Sequence, residues 1–231
     1  PAALEKAIAS CDEAVRLDPG YLPAHTNLGS AWKTLAERQM ARGQDPGRAL
    51  ERAVAASERA VALNPSRAPF HNNVGNAYLT TAEYQMSRGL DPRAALGKAA
   101  AAYRRSIAVH PDYSLGAFNL AWAERNLALA LLERGEDPGA ALGRAREALA
   151  TALRLLPDDA DSFVERARIE MVAGRWAARQ GRDPEPAFRT AEAALRRATE
   201  INPNQPDLST CITLLERHRA EAQRLAASSP P

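Results

Sequence analysis

Apolar and small residues recur at helical spacing along the segment that follows Pro46. They occupy positions 50, 53, 57, 60 and 61, which is the i, i+3, i+4 stripe of an amphipathic helix. The stripe returns every 46 residues, and residues at the same place in successive repeats form a column. Four of these columns are Leu4, Leu50, Leu96, Leu142 and Phe188; Ala7, Ala53, Ala99, Ala145 and Ala191; Ala14, Ala60, Ser106, Ala152 and Ala198; and Leu17, Leu63, Val109, Leu155 and Ile201. Small residues at fixed places let helices approach closely, and large residues fill the space between them. The pattern therefore predicts a stack of similar helices.

Two signals for helix ends recur with the same period. The motif Gly-x-Asp-Pro occurs at 43–46, 89–92, 135–138 and 181–184, and a second proline follows each stripe, at Pro19, Pro65, Pro111, Pro157 and Pro203. Glycine supplies the left-handed position after a helix, Asp caps the next helix, and Pro suits its first turn. The second proline ends that helix, because the residue before a proline avoids α geometry.

These signals divide the chain into ten helices. Each repeat would contain two helices, which we call first-type and second-type in chain order. We expect first-type helices at about 22–42, 68–88, 114–134, 160–180 and 206–226, and second-type helices at about 2–17, 46–63, 92–109, 138–155 and 184–201. The predicted fold class is all-α: a helical-repeat solenoid of antiparallel helices that forms one domain over residues 1–231. Its units would be a partial repeat 1–19, the repeats 20–65, 66–111, 112–157 and 158–203, and a C-terminal helix with tail at 204–231.

The columns resemble the tetratricopeptide repeat (TPR), in which a Leu-Gly pair and an aromatic residue are followed by Ala, a bulky residue, Ala and Pro. The first two repeats supply Leu28, Gly29, Trp32, Ala53, Ser57, Ala60 and Pro65, and then Val74, Gly75, Tyr78, Ala99, Tyr103, Ser106 and Pro111. The third repeat has Glu124 in place of the aromatic residue, and the fourth has Arg166, Ala167 and Glu170 on its first helix.

The repeat length departs from that family. The usual unit has about 34 residues, and the unit here has 46. The additional residues lengthen the end of the first helix and the start of the second. Arrays with such long units are similar to those attached to some bacterial serine/threonine kinases and other signalling proteins.

The resemblance implies a right-handed superhelix whose first-type helices line a concave groove for peptides. A groove position that is often Asn in peptide-binding members is Asn27, Asn73 and Asn119 here, followed by Glu165 and Cys211. An amide both donates to and accepts from a peptide main chain. Neighbouring groove positions add Trp122 as an aromatic anchor.

Basic residues beside these positions have two interpretations. Lys33, Arg125, Arg168 and Arg217 could hold carboxylates of an acidic ligand. Alternatively, they belong to a solvated face that Glu124, Glu165 and Glu170 neutralise. The family's clamp for a C-terminal carboxylate is not expected, because its Lys position holds Thr26, Asn72 or Phe118.

Other candidate residues suggest structural roles. His25 and His71 are repeat-equivalent and take a position where the family has a large packing residue, and Cys11 lies in a core column, where we expect an inert buried thiol. No His, Cys, Asp and Glu spacing is typical of a metal site, and no glycine-rich phosphate loop or catalytic set is found. We therefore expect a protein without cofactor, metal or catalytic residues.

Composition agrees with helices and restricts the partners. The chain has 231 residues, with 50 Ala and a net charge of +2, and 5% of its residues are aromatic. Near-neutral charge disfavours nucleic acid, and no apolar run approaches the length of a membrane span. We expect a cytoplasmic scaffold that binds a protein or peptide, with weak end-to-end self-association as a further possibility. The alternative is a regulatory or structural arm that binds other domains of a larger enzyme, for example a kinase.

Overall fold

The part of the chain that the structure describes folds into ten α-helices. The structure is a computed structural model, and it describes residues 2–228. The helices are α1 (Ala2–Leu17), α2 (Leu22–Ala41), α3 (Gly47–Leu63), α4 (Ala68–Ser87), α5 (Arg93–Val109), α6 (Ser114–Glu133), α7 (Gly139–Leu155), α8 (Ala160–Arg179), α9 (Glu185–Ile201) and α10 (Leu208–Ser228). Residues 2–228 contain no strand, so the predicted all-α class is confirmed.

The helix ends follow from local chemistry. Gly43, Gly89, Gly135 and Gly181 all have φ between 65° and 74°, the left-handed conformation predicted for them. At the first of these turns, the Gly43 N–H donates to the carbonyl of Met40 and the Gln44 N–H donates to that of Gln39, both at 2.9 Å. These are the two hydrogen bonds of a Schellman motif. The residues before the second prolines are extended, as at Asn64 with φ of −149° and ψ of 88°.

Four of the five second-type helices, α3, α5, α7 and α9, begin one residue later than predicted, because the aspartate before the proline already caps the helix. The Asp45 carboxylate accepts the N–H of Gly47 at 3.0 Å, and the same contact recurs at Asp91, Asp137 and Asp183. Pro46 is then the N-cap residue, and its carbonyl accepts the first helical hydrogen bond from Leu50. The last helix also begins two residues late, after Asp207, whose φ is 63°.

The chain divides into two compact units, residues 1–119 and 120–231. In the first unit, α2 packs against α3 and α4 packs against α5, while α3 and α4 contact each other along the stack. In the second unit, α8 packs against α9, and α10 packs against both of them. First-type helices also touch directly, α2 with α4 and α8 with α10. These helices therefore pack against near neighbours in sequence.

Small residues set the distance between the two helices of a pair. The predicted column Ala53, Ala99, Ala145 and Ala191 has no exposed surface at any of its four positions. A Cβ atom added at Gly75 would overlap the ring of Tyr103, and one added at Gly174 would overlap the ring of Phe188. Both rings are fully buried. At these two contacts, the first-type helix therefore has glycine where the second-type helix presents a large aromatic ring.

The histidines at equivalent positions fasten each first-type helix to the loop before it. His25 and His71 are both buried. His25 Nε2 lies 3.0 Å from the carbonyl oxygen of Pro19, and His71 Nε2 lies 2.8 Å from that of Pro65. In addition to the predicted packing role, each imidazole ring forms a hydrogen bond with a carbonyl group of the preceding loop.

Cys11 is half-buried, so the prediction of a fully buried thiol is wrong. Cys11 occupies the same place in its repeat as Ser57 and Tyr103. Both of those side chains pack against the first-type helix that precedes them. Within residues 2–228 no helix precedes α1 to cover that position.

Two glycine substitutions in neighbouring helices should have opposite effects on stability. Gly75→Ala should cost about 1–3 kcal/mol of unfolding free energy, because the new methyl group overpacks against Tyr103. Gly97→Ala is the control, since Gly97 is exposed on α5 with no neighbour within 4 Å. It should stabilise by about 0.5–1 kcal/mol through helix propensity. Urea titrations followed by circular dichroism measure both changes.

A double variant tests the cause of that loss. Gly75→Ala with Tyr103→Leu reproduces the Ala121 and Leu149 of the next repeat. It should recover much of the lost stability. An unchanged or larger loss would contradict a steric origin.

Candidate functional site

The three predicted groove asparagines are not equivalent. Asn27 on α2 is exposed, Asn73 on α4 is half-buried, and Asn119 on α6 is buried. The Asn119 side-chain amide donates to Asn72 Oδ1 at 2.9 Å and approaches Asn76 Oδ1 at 3.4 Å. The Asn119 amide is therefore occupied by partners within the chain, unlike that of exposed Asn27. It is buried because α4 presents two amide acceptors opposite it.

Asn76 connects this amide cluster to the helix behind it. The Tyr103 hydroxyl donates to Asn76 Oδ1 at 2.8 Å, so the cluster reaches from α5 through α4 to α6. Burial, together with the nearby charge of Glu83, raises the pKa of Tyr103, and the hydroxyl remains a donor at neutral pH. The sequence pattern did not predict these partners. The available signal was the concentration of Asn72, Asn73 and Asn76 within two turns of one helix, where Asn is a mediocre residue.

Lys33 lies within a small acidic group on α2 and α4. Its ammonium is 2.5 Å from Glu37 Oε1, one turn along α2. Burial, and secondarily repulsion by Glu37, raises the pKa of Glu83, whereas Lys33 lowers it. The Lys33 charge is therefore balanced by carboxylates of the chain itself.

The arginines predicted to bind ligand carboxylates have partners within the second unit. Arg125 is buried, and its Nε donates to Glu165 Oε1 at 2.6 Å. Arg168 donates to Asp207 Oδ2 at 3.0 Å, and its second guanidinium nitrogen lies 3.9 Å from Glu165 Oε2. The Arg125 guanidinium is buried away from the surface, because Glu165 stands where the first three repeats have Asn. Both arginines are therefore paired with carboxylates of the chain itself, but Arg125 is buried and does not belong to a solvated face.

Trp122 remains partly accessible on α6. Arg217, on α10, is exposed and lies 3.9 Å from Glu221 one turn later. Both retain surface that a ligand could contact.

The aromatic column of the repeat changes chemistry between the units. In the first unit, the Tyr78 hydroxyl donates to Glu58 at 2.7 Å and the Lys98 ammonium lies 5.1 Å from the ring centroid. Burial and this hydrogen bond raise the pKa of Tyr78 to about 12. In the second unit the same column holds glutamates. Fully buried Glu124 pairs with Arg144 at 2.9 Å, and Glu170 accepts two hydrogen bonds from Arg146, at 2.7 and 2.6 Å.

Residues 2–228 contain no candidate metal site and no candidate membrane-spanning helix. No group of three or more His, Cys, Asp or Glu in this range could hold a metal ion. No helix in the same range is both long and apolar enough to cross a bilayer.

Solved structures with a similar backbone include a TPR protein. YrrB, described as a TPR protein with an unusual peptide-binding site, superposes with a TM-score of 0.55 at 16% identity, over 95% of this chain and 84% of its own. Two structures of MamA superpose with TM-scores of 0.54 and 0.53 at 18% and 17% identity. They cover 85% and 87% of this chain, and 90% and 84% of their own. No protein-family model matches the chain, and no match among curated proteins is found. The fold is an all-α helical repeat like that of TPR proteins.

The buried pair of Arg125 and Glu165 gives a prediction about stability. Arg125→Leu leaves the buried Glu165 carboxylate with only the more distant Arg168, at 3.9 Å, and should destabilise by about 3–5 kcal/mol. The double variant Arg125→Leu with Glu165→Leu should lose much less, since no buried charge remains. Denaturant titrations measure both.

Arg196→Gln is the matched control for charge removal. It breaks an exposed i, i+4 pair with Glu192 on α9 and should change stability by less than about 0.5 kcal/mol. If Arg125→Leu is equally mild, the buried pair does not stabilise the second unit.

Proposed function

We propose that this chain is a protein-interaction scaffold that binds an extended peptide segment, or a helix of a partner, along the surface of its first-type helices. The repeating unit would be the helix pair of 46 residues, and residues 1–231 would form one repeat domain. The observation that carries the proposal is the pair of equivalent amides at Asn27 and Asn73. Both keep exposed surface, and α2 and α4 pack side by side.

The two amides suit a peptide main chain. Each donates and accepts, so each can pair with an N–H or C=O group whatever the ligand side chain is. A hydrogen bond of this kind contributes about 0.5–1.5 kcal/mol. Two of them give a grip of about 1–3 kcal/mol, which needs selective contacts beside it. Asn119 would act indirectly in this scheme, by holding α4 and α6 in place.

Selectivity would come from other side chains on the first-type helices. Trp122 offers an aromatic surface, and Lys33 and Arg168 can exchange their exposed partners, Glu37 and Asp207, for ligand carboxylates. Arg125 would contribute by fixing Glu165 rather than by touching the ligand. YrrB, one of the structural neighbours, is described as having a peptide-binding site, and this supports the class of function proposed. In the alternative arrangement, an arm of a larger signalling protein such as a kinase, the same surface would bind the protein's own domains.

Peptide selection tests the proposal. Binders are selected from a phage-displayed library of random peptides against the intact chain and then measured by fluorescence anisotropy. Asn27→Ala with Asn73→Ala should weaken the selected peptides about tenfold, which corresponds to 1.4 kcal/mol. The melting temperature should hardly change, because Asn27 is exposed and Asn73 is only half-buried.

Two further variants separate binding from folding. Asn204→Ala removes an exposed loop amide and should leave affinity unchanged. Asn119→Ala should lower the melting temperature, because it deletes a buried hydrogen bond to Asn72. Undiminished affinity in the Asn27 and Asn73 double variant, or a library that yields no binder, would contradict the proposed function.

A further inference from the structure

A cavity of about 530 Å³ opens between the first-type helices α8 and α10, toward their C-terminal ends. This volume lies within the range of small-ligand sites. Its lining includes the apolar residues Ala178, Ala222 and Leu225 and the arginines Arg175, Arg179 and Arg224. All of these residues belong to the second unit.

A comparison of the repeats explains why the cavity exists. Ala178 occupies the position that holds Met40, Met86 and Leu132 in the preceding first-type helices. Leu132 is fully buried, so in its own repeat this position fills space. In the fourth repeat a methyl group replaces the long side chain, and Leu225 of α10 remains 47% exposed rather than closing the gap.

The cavity also depends on the length of the helices. Its lining begins at Arg175, more than one turn beyond Glu170, which occupies the aromatic position of the TPR pattern. A unit of about 34 residues would end its first helix near this point. The cavity is therefore built by the turns that distinguish this 46-residue unit.

The charge of the lining is predominantly positive. Arg175 pairs with Glu133 at 2.7 Å, and Arg179 donates to the Leu132 carbonyl. No ion-pair partner of Arg224 lies within residues 2–228. With Glu221 as the carboxylate of the lining and Glu133 beside it, three arginines against two glutamates leave a net charge of +1.

His218 does not supply a further positive charge at neutral pH. Its Nδ1 lies 3.3 Å from Glu221 Oε2. Burial lowers the pKa of His218 and outweighs the opposite effect of Glu221, while Arg175 and Arg217 lower it further. The hydrogen bond from His218 lowers the pKa of Glu221, which stays ionised. The uncompensated charge therefore rests on the arginines.

We propose that this cavity binds a carboxylate attached to a branched apolar chain, presented by a peptide ligand. Arg224 and Arg179 would receive the carboxylate, since a guanidinium fork suits its two oxygens. The apolar branch would lie on Ala178, Ala222 and Leu225. The source is either the free C-terminus of a leucine-like residue or an acidic side chain next to one. This inference rests on the proposed function, to which it adds a ligand chemistry and a second location on the first-type helices.

The direct probe is 4-methylpentanoate, a carboxylate with the branched end of leucine. It is titrated to about 10 mM, above the roughly 1 mM dissociation constant that corresponds to −4.1 kcal/mol, and is followed by amide chemical shifts in NMR spectra. Shifts should concentrate in residues 175–179 and 218–225. The uncharged analogue 4-methylpentanamide should bind at least about fivefold more weakly.

Three variants identify the site. Ala178→Leu restores the residue of the preceding repeat, fills the cavity, and should abolish the shifts without lowering the melting temperature. Arg224→Gln should weaken the probe several-fold, and this exposed substitution does not depend on repacking. Arg189→Gln on α9 removes an exposed arginine outside the lining and should have no effect.

Two sets of short peptides distinguish the two sources. One set ends in leucine with a free or an amidated terminus, and the other consists of capped peptides with an internal Asp-Leu pair. Equal binding of the acid and its amide, unchanged binding by Arg224→Gln, or shifts elsewhere would overturn the proposal. If peptides selected from the library bind wild type and Ala178→Leu equally and the probe causes no shift, the cavity proposal fails while the proposed function stands. If the probe binds here but no library peptide is selected, the proposed function fails instead.

Discussion

Close contact between the two helices of each pair is the constraint on which the rest of this structure depends. A first-type helix can lie against its partner only where one side of the contact is small. Gly75 accommodates Tyr103 and Gly174 accommodates Phe188, while the alanine column at 53, 99, 145 and 191 is fully buried. Because interiors are packed to crystal-like density, these sizes fix how far apart the helices lie. The pair then presents a defined outer face for stacking.

The same backbone plan carries different polar chemistry in its two units. In the first unit, neutral amides at positions 72, 76 and 119 join α4 to α6 and are completed by the Tyr103 hydroxyl. In the second unit, carboxylates and guanidiniums form the polar contacts between helices, as in the Arg125 pair with Glu165 and the Arg146 pair with Glu170. Buried amides need partners but carry no charge, whereas each buried glutamate needs an arginine. The second unit is therefore more dependent on specific charge partners than the first.

Helix positions could be predicted from the sequence to within two residues, because the signals that end a helix act locally. The left-handed residue that ends α2 is Gly43, because glycine adopts this conformation without a steric penalty, and Asn64 avoids α geometry because Pro65 follows it. The partners of polar side chains could not be predicted in this way. The burial of Asn119 and of Arg125 depends on which side chains a neighbouring helix presents, and no single column contains that information. The cavity beside Ala178 could be predicted from the sequence only in part. The shortening from Met40, Met86 and Leu132 to alanine is visible in the sequence, but the arginines that surround it come from two helices.

We propose that the 46-residue helix pair is the unit of folding, and a deletion tests this most directly. In the second unit, α8 packs against α7 and α10 packs against α9. Removal of residues 158–203 should therefore let α10 take the place of α8 against α7. We predict a cooperative thermal transition, with helix content reduced in proportion to the lost pair and hydrogen exchange still slow in α7. Removal of only residues 158–191, about the length of an ordinary TPR unit, should disrupt α7 and α10. If the two deletions are equally disruptive, the 46-residue pair is not the unit of this array.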